Sequence, residues 1–186
     1  MGSTPILEKL ERALNSHLLV CVERKLPFAD SEDGFVVAIG SKWMLLQRVA
    51  DGGNPDGYVA MRVKDVRKVR RDRSFAATVA RALPSWPPAA PKGIRLDDTA
   101  ALLGSVATCS PLFGVEKQRE RRAVWIGQLD RIADKKLWLL ELNTKAKWLK
   151  KPEAHRFSEI TSVAFGDRYL SSLALAAAES RHLEPA

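Results

Sequence analysis

Apolar positions along the first half of the chain change their period several times, and each change marks an element. Over residues 5–14, Ile6, Leu7, Leu10 and Leu14 recur at helical spacing. Residues 18–25 then read as a strand. Residues 34–49 read as one or two strands with a kink near Gly40. The stretch Asp51-Gly-Gly-Asn-Pro-Asp-Gly57 is dense in turn-forming residues. Residues 58–69 are again extended, with Val63, Val66 and Val69 apolar, and residues 74–83 form a short apolar helix.

The same succession follows about 93 residues later. Leu10, Leu19, Val22, Glu23 and Gly34 fall on the identical Leu103, Leu112, Val115, Glu116 and Gly127. With one residue inserted before the third strand the offset becomes 94. Lys42, Leu45, Leu46, Arg62, Val69, Ala80 and Ala82 then fall on Lys136, Leu139, Leu140, Arg156, Val163, Ala174 and Ala176. The expectation is an internal duplication, and such repeats decide the architecture before any residue-level detail. Between the copies lie Pro84, Pro87, Pro88 and Pro91, four prolines in eight residues, which favour an extended and rather stiff connector. Trp86 within it is expected to dock between the halves. A helix opens after the connector at Asp97 or Asp98, both good N-cap residues. The domain organisation expected is a first repeat over 1–83, a linker over 84–96, a second repeat over 97–180 and a flexible tail over 181–186.

A helix, then strands, a glycine after the first strand and an Asp/Glu-Val/Ile-x-x-Val strand near the end resemble the Sm-like small β-barrel. Gly34-Phe-Val-Val-Ala-Ile39-Gly40-Ser-Lys-Trp43-Met44-Leu45-Leu46 follows the apolar rhythm of that family's first motif. Met61-Arg62-Val63-Lys-Asp65-Val66 and His155-Arg156-Phe157-Ser-Glu159-Ile160 resemble its second. The family's RNA-contacting Asp and Asn are replaced by Gly40 and Met44 in the first copy, and fall near Ala133 and on Trp138 in the second. The glycine after the arginine is Val63 and Phe157; only the arginine is retained, as Arg62 and Arg156. The resemblance is to the scaffold, and a generic SH3-like barrel stays open beside it. The fold class expected is α+β, mainly β: two tandem small open β-barrels, each preceded and followed by a helix. Such barrels expose edge strands, so the chain is expected as a pseudo-two-fold monomer or a low-order homo-oligomer.

Composition changes this picture little. The chain has 186 residues, 46% hydrophobic and 28% charged, an ordinary globular mixture. No basic start followed by an apolar run marks a signal peptide, and no stretch approaches the ~20 apolar residues of a membrane span, so a cytoplasmic protein is expected. Cys21 and Cys109 form no C-x-x-C motif and are expected as two buried free thiols.

Charge adds more. The net charge is +8, and residues 64–73 supply +4 of it through Lys64, Arg67, Lys68, Arg70, Arg71 and Arg73 against Asp65 and Asp72. A basic run on an extended segment either grips phosphates or protects a sheet edge. Lys117, Arg119, Arg121 and Arg122 form a second cluster. Lys145, Lys147, Trp148, Lys150 and Lys151 form a third, in which an aromatic among cations can stack a base or simply fold back onto the barrel. The counterpart of the 64–73 run, residues 158–167, has no basic residue, so a binding face is expected to be asymmetric.

Catalytic signals are few. His17, His155 and His182 have no motif partner, and no metal-binding or phosphate-cradling pattern is present, so no metal or cofactor is expected. Asp30, Glu32 and Asp33 match no calcium loop and read as a solvated hairpin. The leading expectation is a non-enzymatic module binding nucleic acid, RNA before DNA, or another polyanion. Its contact residues would be Arg62, Arg67, Lys68, Arg70, Arg71, Arg73, Lys117, Arg119, Arg121, Arg122, Lys147, Trp148, Lys150 and Arg156. The alternative is a protein-interaction or assembly module using barrel edge strands. An enzyme without a recognisable motif is the minor alternative.

Overall fold

The computed structural model describes residues 5–27, 29–118 and 123–182, with side chains described as far as Glu179. The elements are α1 (Pro5–Asn15), β1 (Leu19–Arg24), β2 (Glu32–Ile39), β3 (Trp43–Val49), β4 (Pro55–Arg62), β5 (Val66–Arg71) and α2 (Ala76–Ala82). After these come α3 (Thr99–Cys109), β6 (Phe113–Lys117), β7 (Val124–Ala133), β8 (Lys136–Glu141), β9 (Glu153–Arg156), β10 (Ile160–Phe165) and α4 (Arg168–His182). The chain is mainly β. Its ten strands form one antiparallel sheet in the order β5-β1-β2-β3-β4-β10-β6-β7-β8-β9.

Local chemistry explains the element ends. Helix α1 buries Leu10 and Ala13, one face of its 3.6-residue period. It stops because His17 turns left-handed at φ 45°, while Leu18 N–H bonds back to the Ala13 carbonyl at 3.0 Å, closing the last turn. Helix α3 opens as the sequence predicts: the Asp98 carboxylate accepts from Ala101 N–H at 2.8 Å. Helix α4 is capped by Asp167, which accepts from Leu170 N–H at 2.7 Å.

The two halves of the sheet keep matching ladders. Val20 faces Gly34 in β1·β2, and Phe113 faces Gly127 in β6·β7. Ile39 faces Met44 in β2·β3, and Ile132 faces Leu137 in β7·β8. Both pairs keep a 93-residue shift on both strands. Leu46 opposite Val59 and Leu139 opposite Glu153 bring the shift to 94 on the fourth strand. The extra residue therefore lies between β8 and β9, not before the third strand: strands of the same face cannot slip by one residue without turning their apolar set outward. The register irregularities agree too, at Val36/Ala38 with Leu129/Arg131 and at Glu23/Arg24 with Ile160/Ser162.

The cores show the same correspondence and then depart from it. One cluster holds Leu10, Ala13, Val20, Val22, Met44, Leu46, Val66 and Val69. The other holds Leu103, Val106, Phe113, Val115, Leu137, Leu139, Ile160 and Val163 in the matching positions. The second core also takes in Trp43, Leu45 and Ala60 from β3 and β4, with Leu96 and Leu102. This explains the unbroken apolar run Trp43-Met44-Leu45-Leu46. Met44 and Leu46 face one core while Trp43 and Leu45 face the other, so the strand is buried on both sides.

The proline-rich stretch is packed rather than spanning free space. Trp86 lies edge-on to Phe35 and His17 and joins a small cluster with Leu19 and Ala80, so among the described residues it docks on the first half and not between the halves. Leu96 accepts from Trp43 N–H at 3.0 Å, and the Ala89 carbonyl accepts from the Tyr58 hydroxyl at 3.1 Å. The cysteines also differ from expectation: both are free, but Cys21 is half-buried and Cys109 exposed. No helix is long and apolar enough to cross a membrane, among the described residues.

The matched glycines Gly34 and Gly127 have a shared steric cause. A Cβ at Gly34 would lie 2.2 Å from the Gln47 carbonyl oxygen, and one at Gly127 2.2 Å from that of Leu140. Each permits close approach of the next strand at the same place in its hairpin. Gly34→Ala or Gly127→Ala should each destabilise by roughly 1–3 kcal/mol, the cost of overpacking, read by urea denaturation. Loss below ~0.5 kcal/mol at either would show that the strands separate at little cost.

Candidate nucleic-acid interface

Four turns converge on one groove of about 660 Å³. The β2–β3 turn supplies Lys42; it is fixed by Gly40, whose Cβ would collide with Leu96, and by Ser41, whose N–H donates to Asp97 at 3.0 Å. The short 3-10 turn Val63–Asp65 between β4 and β5 supplies Lys64. The β7–β8 hairpin supplies Lys135, where Asp134 and Lys135 both take positive φ (50° and 56°), as a two-residue hairpin turn requires. The β9–β10 turn supplies Arg156, Phe157 and Ser158. Each half binds its two turns together by the same hydrogen bond: Val63 N–H to the Lys42 carbonyl and Phe157 N–H to the Lys135 carbonyl, both 3.0 Å. The N-terminus of α3 closes the groove with Asp98 and Thr99, the latter accepting from the Trp43 indole at 3.4 Å.

The groove is cationic. Lys42, Lys64, Lys135 and Arg156 are exposed in it and Lys136 is half-buried, against Asp98 and Asp134. Asp98 is already engaged as the α3 cap. Phe157 offers a half-buried aromatic ring beside the lysines.

The two matched arginines line this groove but differ in state. Arg62 is buried; its Nε donates to the Asp65 carboxylate and its Nη1 to the Ser158 carbonyl at 3.0 Å. That ties Arg62 into the structural frame: Asp65 supplies a counter-charge to its guanidinium, and two of its donors are engaged. Arg156 is exposed, and among the described residues its guanidinium has no hydrogen-bond or ion-pair partner.

The other predicted contacts are scattered. Arg67, Lys68, Arg70 and Arg71 lie exposed on β5, an outer strand of the sheet, and Arg73 follows it. Arg67 and Arg70 both hold Glu23, at 2.8 and 2.6 Å, and the Arg67 hydrogen bond leads in keeping that carboxyl below its ordinary range. Lys117 lies 3.8 Å over the Trp125 ring. Lys147 and Lys150 are exposed in the β8–β9 connection, where Trp148 is half-buried and bridges back to Leu142. Arg119, Arg121 and Arg122 lie outside the described residues. Lys42, Lys135 and Lys136 were missed because Lys42 stands alone and Lys135-Lys136 are only a pair in the sequence pattern; only their common position at the ends of strands brings Lys42 beside them.

A second cavity, of about 450 Å³, lies between the halves and is lined by Glu32, Arg48, Asp56, Glu116, Ser162 and Asp167 with apolar neighbours. Each of its four carboxylates lies within ion-pair distance of an arginine, Arg48 being shared by two of them. Arg24, almost fully buried, lies 2.7 Å from Glu116, which also accepts from the Ser162 hydroxyl at 2.8 Å. Arg48 lies 3.3 Å from Glu32 and 3.4 Å from Asp167, and Arg168 lies 3.3 Å from Asp56. Glu32 is therefore a partly buried strand residue and not a solvated hairpin acid. His155 is buried against Glu141 at 2.8 Å, and His17 ends a helix. No cluster of three or more His, Cys, Asp or Glu fit to hold a metal occurs among the described residues. Compared with models of protein families, with curated proteins and with solved structures, the chain matches none.

Two consequences are measurable. Arg62→Ala leaves Asp65 buried without its counter-charge and should cost about 3–5 kcal/mol, whereas Arg156→Ala should stay within about 0.5 kcal/mol of the parent chain, both by urea denaturation. Equal losses would place Arg156 in the structural frame as well. Burial raises the Glu32 carboxyl above its ordinary range, so the folded chain holds that proton more tightly than the unfolded one. The associated stability is complete below the unfolded value, about 4.3, and is lost as pH rises through the folded one. The stability of the parent chain relative to Glu32→Gln should therefore fall as pH rises from about 4.3 through the raised folded value. A rise over that window would mean that Arg48 outweighs burial.

Proposed function

We propose that this chain is a non-enzymatic module that binds single-stranded nucleic acid, RNA before DNA, in the cationic groove. The scaffold proposed for it is a duplicated small open barrel, Sm-like or SH3-like in kind, with the two units fused edge to edge. The observation that carries the reading is the convergence of Lys42, Lys64, Lys135, Lys136 and Arg156 on one concave surface with an aromatic ring among them. Phosphates are held by such cations through counterion release, and a base can stack on Phe157. The exposed cations of β5 provide a second, flatter basic surface for the strand as it leaves the groove. The ion pairs that hold every carboxylate of the second cavity support a structural role there.

Fluorescence anisotropy of nuclease-treated protein with a labelled single-stranded RNA homopolymer tests this across a salt series. Affinity should fall steeply with salt. Lys42→Ala, Lys64→Ala and Lys135→Ala together should flatten the log–log slope by about 2, since each phosphate contact on a single strand contributes roughly 0.7. An unchanged affinity and slope in that triple variant would remove the groove from consideration.

A further inference from the structure

The cavity of about 450 Å³ between the halves lies where the first half lacks a ring that the second half has. The shift that aligns the ladders sets Arg24, Glu32 and Arg48 against Lys117, Trp125 and Glu141. In the second half the Trp125 indole occupies that place, 5.9 Å from the His155 ring, with the Lys117 ammonium 3.8 Å from its own centroid. In the first half Glu32 puts a slim carboxylate where the indole would stand, and the space stays open. Gly114 leaves the floor bare as well; a Cβ there would meet Val124 Cγ1 at 2.7 Å.

The ion pairs fix the walls without filling the space. Arg48 lies between Glu32 and Asp167, Arg168 holds Asp56, and Glu116 takes both Arg24 and the Ser162 hydroxyl. A site so preformed loses little freedom when a ligand enters. Its charges leave a remainder. Four carboxylates line the cavity and three arginines reach them, so one negative charge is in excess, on a chain of net charge +8. Glu32 registers that excess: burial first, and the Glu116 carboxylate with it, raise its carboxyl, while Arg48 and Arg24 act the other way. The rest of the lining is apolar, from Val59, Ile126, Ala164 and Leu170, and Tyr169 and Val124 stand exposed at the rim. An excess of carboxylate beside an apolar wall and an aromatic rim is complementary to a compact ring that carries a single positive charge.

We propose that this cavity binds a small organic monocation, a protonated amine on an aromatic body, with its ring against Val59, Ile126 and Leu170 and its ammonium at Glu116 and Glu32. The ring takes the volume that Trp125 fills in the second half, and the ammonium supplies the missing positive charge. An anion of the same shape meets four carboxylates, and a neutral ring leaves the excess charge in place. The lining comes from β2, β3 and β4 on one side and from β6, β7, β10 and α4 on the other, so the ligand also bridges the two halves. The inference does not rest on nucleic-acid binding. The cationic groove lies at the β2–β3 turn, whereas Glu32 and Arg48 stand at the opposite ends of those two strands.

Heteronuclear NMR of the nitrogen-labelled, nuclease-treated full chain, titrated with phenethylamine at neutral pH, reads binding directly. Phenethyl alcohol and phenylacetate are titrated beside it and carry the same ring with no charge and with a negative one. The amine should bind with a Kd of roughly 1 mM or tighter and shift the amides of Gly114 and Ala164, which line the cavity. Its affinity should exceed that of the alcohol and of the carboxylate by about tenfold or more. Val124→Trp, a change at an exposed rim residue, should block the cavity and lower the amine's affinity by about tenfold or more. Glu116→Gln should do the same; it also strips buried Arg24 of its counter-charge, so Val124→Trp decides the matter if that variant fails to fold. Alcohol or carboxylate binding as tightly as the amine overturns the proposal, as does an absence of amine binding at about 10 mM. So does amine binding that Val124→Trp leaves unchanged.

Discussion

The β4·β10 ladder is the contact on which the remaining architecture depends. It joins residues 58–61 to residues 162–165 and converts two five-stranded arrays into one sheet. An unpaired strand edge leaves a row of backbone donors and acceptors that must find partners, and here each half supplies them to the other. Once the strands are paired, the far faces of β3 and β4 come under α3 and the segment before it. Trp43, Leu45 and Ala60 then belong to the core of the second half. Roughly 25 cal/mol per Å² of apolar burial makes that shared core a large part of what holds the halves together.

Charge placement follows from the same ladder. Arg62 emerges at its end and is held by Asp65 and the Ser158 carbonyl, so a residue of the first half closes onto a turn of the second. Arg48 with Asp167 and Arg168 with Asp56 tie the start of α4 to β3 and β4. Because the ladder sets the turns of both halves side by side, lysines far apart in the chain share the groove. A pairing shifted by one residue would invert the faces and disperse them.

Much of the element structure was legible in the apolar pattern. The helix over 5–14, the strand over 18–25, the kink at Gly40 and the Asp98 cap all have counterparts in the structure, because local periodicity and capping act over a few residues. The placing of the one-residue insertion was not legible: Leu45 and Leu46 are both leucines, so either offset produces an identity, and only the ladder register distinguishes them. The site was legible in part. Arg62 and Arg156 were singled out as a matched pair, yet identical residues at matched positions end in opposite states, one buried and one exposed. The difference lies in what covers them: Arg62 has the Ser158 turn of the second half against it, and Arg156 is exposed.

By itself, then, the sequence determined the order and period of the elements, the matched apolar frame of the two halves and the excess of positive charge. Those are properties of neighbouring residues and of composition. The tertiary structure alone decided which edges pair, which arginine is neutralised, that Glu32 sits in a shared cavity and that Lys42, Lys64, Lys135 and Lys136 meet. The physical reason is that edge pairing is made by backbone groups common to every residue. Their choice of partner is set by how two packed halves fit, and no local pattern of side chains records it.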